Sequence, residues 1–188
     1  MTGLYGGVFD PPHNGHVALA EAAVQHFDLE RLVVLVVVEP GHKDVELDFD
    51  DRFRLAQLAF GDLPRTELVP EEHARTVDAL RAEAYEDPLF LVGADEFAAF
   101  LFWKEPNRVL ELARLAVATR SGYPRDRLKP VLASLERPER VEFFEIPPVF
   151  VSSSDVRERV RRGESIDGLV PKAVAGEIEL SGLYRVLP

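Results

Sequence analysis

The sequence predicts an α/β protein with a doubly wound, mainly parallel sheet. Leu32 to Val38 is an unbroken apolar run, the pattern of a strand buried on both faces, as parallel strands are. Just before it, Val17, Ala20, Val24 and Phe27 fall at i, i+3, i+7 and i+10, the spacing of one helix face. Similar runs and spacings alternate to the end of the chain, so β-α-β units with right-handed crossovers are the simplest architecture. No repeat, low-complexity tract or linker-like stretch divides residues 1–188, and one domain is expected.

Taken in order, Leu4 and Tyr5 begin the first strand and Val8 and Phe9 carry it on. The first helix and the Leu32–Val38 strand follow. Glu39-Pro40-Gly41-His42-Lys43-Asp44 is a loop by its Pro-Gly pair. Phe49, Phe53, Ala56 and Phe60 mark the face of a second helix, and Thr66 to Val69 a short strand. Thr76 can cap a helix running to about Tyr85. Leu89 to Val92 is a buried strand closed by Gly93-Ala94-Asp95. Glu96 to Phe102 and Asn107 to Ala113 read as short helices around Trp103 and Pro106. Leu115 to Thr119 is a strand, Arg125 to Leu135 a helix, and Val141 to Ile146 the last core strand. Ser152-Ser153-Ser154 precedes a helix from Asp155 to Arg162, with serines in capping position. A final helix from Pro171 is stopped at Gly182.

The densest punctuation lies where the first strand hands over to the first helix: Gly6-Gly7-Val8-Phe9-Asp10-Pro11-Pro12-His13-Asn14-Gly15-His16. Unpaired N–H groups and the positive end of the helix dipole favour a bound phosphate there. Gly6 and Gly7 remove side chains where a ligand could approach the backbone. His13 and His16, three apart, share a face of the opening turn, and both can donate to phosphate oxygens. Zinc is the competing use of two histidines, but the chain has no Cys, and His26, His42 and His73 stand in no ligand spacing. Walker-type and dinucleotide-type glycine motifs are absent from the sequence.

A second helix N-terminus with hydroxyl donors comes from Ser152 to Ser154, with Arg157 one turn inside. Arginine binds phosphate strongly and with defined geometry; the plainer reading is a capped helix with a surface arginine. Gly93 and Asp95 can seat a ribose at a strand end, or form a turn and a helix cap. Trp103 is a packing residue or, beside a cleft, a stacking surface for a flat heterocycle. Lys43 sits in a glycine-containing loop, where a cation is usually only solvated. Arg52 pairs most simply with Asp48 across the helix surface.

Bulk properties narrow the classes. Hydrophobic residues make up 46% and charged residues 29%, as in soluble globular proteins. No apolar run approaches the roughly 18–20 residues of a membrane span, and Met1-Thr2-Gly3-Leu4 leads straight into the first strand without a signal-peptide pattern. With zero Cys, a cytoplasmic location is expected. A net charge of −11 argues against non-specific nucleic-acid binding, though not against a small nucleotide in a locally basic pocket.

The opening stretch resembles the G-G-x-F-D-P-x-H-x-G-H signature of the nucleotidylyltransferases, and Val151-Ser152-Ser153-Ser154-Asp155-Val156-Arg157 resembles their I-S-S-T-x-I-R motif. Together with His42-Lys43, Arg52, Thr76-Val77-Asp78, Gly93-x-Asp95, Trp103, Thr119-Arg120-Ser121-Gly122 and Gly182-Leu183-Tyr184, the order is similar to that of the bacterial nicotinate-mononucleotide adenylyltransferases. The likeness runs from Gly6 to about Tyr184 and implies a Rossmann-like nucleotidylyltransferase fold. It implies transfer of AMP from ATP to nicotinate mononucleotide, with Mg²⁺ delivered on ATP. His13, His16 and Arg157 would then act on the phosphates. Gly7, Val8, Phe9, Gly93, Asp95 and Ser153 would bind ATP, and Lys43, Thr76, Trp103 and Arg120 the acceptor. Val8 stands where the family usually has Thr or Ser, Arg75 replaces the usual aromatic before Thr76, and Ala79 replaces a common Thr. The rival readings are the same chemistry on nicotinamide mononucleotide or phosphopantetheine, and a non-catalytic nucleotide-binding protein. A homo-oligomer is left open.

Overall fold

The computed structural model describes residues 1–41, 45–83, 85–120 and 124–185. Among them, six strands form one sheet: β1 (Thr2–Gly7), β2 (Arg31–Val37), β3 (Thr66–Glu71), β4 (Leu89–Gly93), β5 (Arg114–Arg120) and β6 (Val141–Ile146). Their order is β3-β2-β1-β4-β5-β6 and every pairing is parallel. The helices are α1 (Asn14–His26), α2 (Phe49–Phe60), α3 (Thr76–Ala82), α4 (Ala94–Ala98), α5 (Pro106–Leu112), α6 (Lys129–Ala133), α7 (Ser153–Arg161) and α8 (Lys172–Ser181), with short 3-10 turns between some of them.

Strand alternation sorts the core into two layers. Leu4, Val33, Leu35, Phe90 and Val117 face one side, with Val77, Phe97, Phe100 and Val109 from the helices. Tyr5, Val34, Val36, Leu91 and Ala116 face the other, against Leu19, Ala20, Ala23 and Phe60. A third cluster docks the C-terminal helices onto α2: Leu55 meets Val156, Val174, Ile178 and Tyr184. The doubly wound expectation therefore holds. The chain leaves β1 toward β2 on one side, and β4 joins β1 on the other. Strand order reverses between β1 and β4, and the carboxyl ends there are where such sheets bind ligands.

Three local expectations are corrected. The first strand ends at Gly7, and Phe9 follows with φ 52° in the left-handed region. The residue turns back because its ring belongs to the core, 2% exposed and edge-on to Tyr5 and Phe60. A Cβ on Gly7 would stand 2.6 Å from that ring, so the glycine makes room for Phe9. Thr76 is the first residue of α3 rather than its cap; Arg75 occupies the cap position with no side-chain bond, and α3 ends at Ala82. The Asp48 carboxylate caps α2 through Asp51 N–H, and the Arg52 guanidinium turns to backbone carbonyls instead. Arg52 is 1% exposed and donates to the carbonyls of Val8 at 3.0 Å, Val37 at 2.8 Å, Val38 at 2.8 Å and Leu47 at 3.3 Å.

Candidate active site

A cavity of about 840 Å³ opens at the carboxyl ends of β1 and β4. His13, the cap of α1, and His16, in its first turn, lie on its wall with their rings stacked 3.6 Å apart and 15° from parallel. Each ring accepts from the other residue's backbone: His16 Nδ1 from His13 N–H at 3.1 Å, and His13 Nδ1 from His16 N–H at 3.3 Å. With both Nδ1 atoms used as acceptors, each neutral ring carries its proton on Nε2. The pair therefore caps a helix and keeps one N–H donor on each ring. Phe9 lies edge-on beneath His16, with ring centroids 5.2 Å apart, and fixes its tilt.

Burial pushes the His13 imidazole down to about 4, against a smaller upward pull from Asp155. A histidine in the unfolded chain takes up its proton near the ordinary 6.5, the folded one only near 4. Between those values the unfolded state holds the extra proton, so acid weakens the fold. Thermal stability is expected to fall as pH drops from 6.5 toward about 4. His13→Asn, which keeps a cap acceptor, should flatten that slope. Identical slopes for the two proteins in a pH series of melting curves would show that His13 does not titrate this way.

The β1–α1 loop is held from three sides by distant segments. Ser153 Oγ donates to the Pro11 carbonyl at 2.8 Å, and Arg157 to the Asp10 carbonyl at 2.6 Å. Tyr184 O–H donates to Asp10 Oδ1 at 2.7 Å, and Glu46 N–H to Asp10 Oδ2 at 2.7 Å. Burial and the Asp10 carboxylate push the Tyr184 hydroxyl far above its ordinary value, so it stays a donor. Asn14 ties the loop to Gly168 and Leu169. Arg157 also donates to Glu46 at 2.7 Å, and Arg161 pairs with the same carboxylate. Burial pushes the Glu46 carboxyl up, but these two guanidinium bonds outweigh it and hold it below its ordinary value. At the start of α7, Ser152 forms a reciprocal cap with Asp155.

His13, His16, Ser153 and Arg157 thus share one cavity, as their spacing and the second motif lead one to expect. So do Gly7, Val8, Phe9, Gly93, Asp95, Thr76, Trp103 and Arg120. Phe9 lines it mainly as the buried support of His16. A Cβ on Gly93 would meet nothing within 4 Å, which leaves that strand end open to a ligand. Arg120 reaches Asp95 at 3.4 Å and lies over the Phe150 ring at 5.4 Å. Trp103 lines the cavity while its indole packs edge-on against Phe90 and Phe100. Lys43 lies outside the described residues. Sequence reasoning missed Asp10, Glu46 and Tyr184 as one bonded group. The Asp in the opening motif is the single local signal for it.

Residues 4–159 match the cytidylyltransferase-like family. A Thermus thermophilus protein named probable nicotinate-nucleotide adenylyltransferase is 35% identical, over 97% of this chain and 98% of its own length. A Rubrobacter xylanophilus protein of the same name is 35% identical over 98% and 92%. Among solved structures, Plasmodium falciparum nicotinic acid mononucleotide adenylyltransferase complexed with NaAD superimposes with a TM-score of 0.79. The match covers 97% of this chain and 96% of that one at 16% identity, a likeness of fold.

Proposed function

The chain belongs to the nicotinate-nucleotide adenylyltransferases within the cytidylyltransferase-like family, and from that premise we propose how its cavity works. The enzyme transfers AMP from ATP to nicotinate mononucleotide, giving nicotinate adenine dinucleotide and pyrophosphate for NAD synthesis. A phosphate oxygen of the acceptor attacks the α-phosphorus of ATP in line. One P–O bond forms, the bond to the pyrophosphate oxygen breaks, and pyrophosphate leaves with its electron pair. No side chain has to act as nucleophile, because the acceptor phosphate is one. Catalysis is then positioning and stabilisation of charge on the phosphates.

The observation that carries this reading is the mutual capping of His13 and His16 on the cavity wall, which engages both Nδ1 atoms and leaves the proton of each neutral ring on Nε2. We assign the two histidines and Arg157 to the ATP phosphates, and Ser153 to the same anion site. Gly7, Val8 and Phe9 supply backbone near the phosphates, and Gly93 and Asp95 seat the adenosine. Thr76, Trp103, Arg120 and Lys43 go to the acceptor side. Mg²⁺ enters as part of the MgATP substrate, with phosphate oxygens and water as ligands; no cluster of three or more acidic or histidine ligands occurs among the described residues. A cytoplasmic site of action fits a chain whose described residues include no helix long and apolar enough to cross a membrane.

Pyrophosphate release from ATP tests the reading with nicotinate mononucleotide, nicotinamide mononucleotide and phosphopantetheine as acceptors. Nicotinate mononucleotide should give the highest kcat/KM; release with none of the three would leave a nucleotide-binding protein. In the same assay Trp103→Ala should raise KM for the acceptor more than for ATP. The loss of one stacking partner is worth about 1–3 kcal/mol by analogy with base stacking. Equal effects on both substrates would reduce Trp103 to a packing residue.

A further inference from the structure

The cations on the cavity wall differ in what already neutralises them. Lys104 is held by both oxygens of Asp78 at 2.9 Å, Arg120 faces Asp95 at 3.4 Å, and Arg157 bonds Glu46 and the Asp10 carbonyl. Arg75 lines the same cavity, exposed, and among the described residues no carboxylate or carbonyl lies within bonding distance of its guanidinium. Of the acidic groups within four residues of it, Glu71 and Asp78 are engaged elsewhere, and the exposed Glu72 makes no ion pair with it. Glu71 accepts from His73 N–H at 2.7 Å and meets its Nδ1 at 2.8 Å, and Asp78 holds Lys104. Arg75 immediately precedes Thr76, on the cavity wall that also carries Trp103. In a protein of net charge −11, an uncompensated guanidinium facing a ligand cavity calls for an anion.

We propose that Arg75 selects the acceptor, binding the ring carboxylate of nicotinate mononucleotide and so rejecting the carboxamide of nicotinamide mononucleotide. This rests on the adenylyl-transfer reading above. The two acceptors share ribose, phosphate and pyridinium ring, so whatever separates them must act at the one substituent by which they differ. A guanidinium presents a planar fork of N–H donors that matches both oxygens of a carboxylate. A carboxamide offers one oxygen and turns its own N–H₂ donors toward those of the arginine. One bond is lost and donors confront donors, which is how a site rejects a near-isostere. With the indole of Trp103 on the same wall, the ring could stack while its substituent meets Arg75. Lys104 is less suited to the role because Asp78 already neutralises it.

Trp103 is the single tryptophan of the chain, so its fluorescence reports binding on this wall independently of turnover. Wild type, Arg75→Gln and Arg75→Lys are titrated with each mononucleotide, and kcat/KM is measured with each in the presence of MgATP. Arg75→Gln should weaken binding and lower kcat/KM about 10–100-fold for nicotinate mononucleotide, the range for a lost bond to a charged group. Nicotinamide mononucleotide should be little affected, and Arg75→Lys should fall between. Equal losses for both acceptors would place Arg75 on the shared phosphate and overturn the proposal, as would no loss for either. The wider reading fails differently: wild type would then turn over neither mononucleotide, while the fluorescence titrations would still decide whether Arg75 distinguishes acid from amide.

Discussion

His16→Ala is expected to lower kcat about 10²–10³-fold while KM for ATP changes much less. On the assignment proposed above, the ring's Nε2–H donates to a phosphate of ATP, and removal of one such preorganised donor costs about 2.7–4 kcal/mol of transition-state stabilisation. On the proposed assignment, ground-state binding of ATP is spread over several groups that line the cavity, among them Ser153, Arg157 and the open strand end at Gly93. Charge builds on the transferring phosphate only as the bond to pyrophosphate breaks, so the missing donor is felt mostly in kcat. The substitution also removes the Nδ1 acceptor of His13 N–H and the stacked ring. Loss of that half of the cap should cost about 1 kcal/mol of stability. Melting curves alongside steady-state kinetics separate the two effects. A His16→Ala enzyme with near-normal kcat would end this assignment, whatever happened to its Tm.

Arg52→Met is expected to be the most destabilising single change discussed here, by about 3–5 kcal/mol, because several buried carbonyls lose their donor at once. Methionine fills part of the volume but brings no donor. Four carbonyls are left without the guanidinium: those of Val8, Val37, Val38 and Leu47. Each buried polar group stripped of its partner costs about 1–3 kcal/mol unless water reaches it. For a chain of this size about 1 kcal/mol moves Tm by roughly 2–4 °C, so a drop on the order of 10 °C is expected by calorimetry. Arg52→Lys keeps a charge but not the fork and should recover only part of the loss. Because Val37 ends β2 and Val8 follows β1, kcat should fall as well through the loosened cavity floor. A Met variant that melts with wild type would show that solvent or a local shift satisfies those carbonyls.

What the sequence determined by itself is local or periodic. The run Leu32–Val38 has to be a doubly buried strand, and Phe49 to Phe60 has to present one apolar face, whatever surrounds them. The three-residue spacing of His13 and His16 already puts both on one side of the opening turn, and Ser152 already stands three residues before Asp155 for a reciprocal cap. Gly182 stops α8 in the left-handed conformation, with φ 67°. These features depend on bonds spanning three or four residues, so their pattern is legible in the residues themselves. The order of motifs added the family, with one phosphate motif after the first strand and the other after the last.

Only the tertiary structure decided which distant groups meet. Arg52 is a surface residue by its helix neighbours, yet it lies under the strand ends because α2 packs with Leu55, Ala56 and Phe60 inward and carries Arg52 in with them. Phe9 reads as strand because it prolongs an apolar run; it leaves the strand because the space over Gly7, between Tyr5 and Phe60, takes its ring. Tyr184 meets Asp10 across 174 residues, Ser153 reaches Pro11 across 142, and Arg157 reaches Glu46 across 111. Those bonds exist because the apolar cluster of Leu55, Val156, Val174 and Ile178 docks α7 and α8 beside the first loop. Docking of this kind is set by the shape and area of apolar surfaces, which are non-directional and leave no spacing in the chain. The polar partners then find each other only after those surfaces have closed.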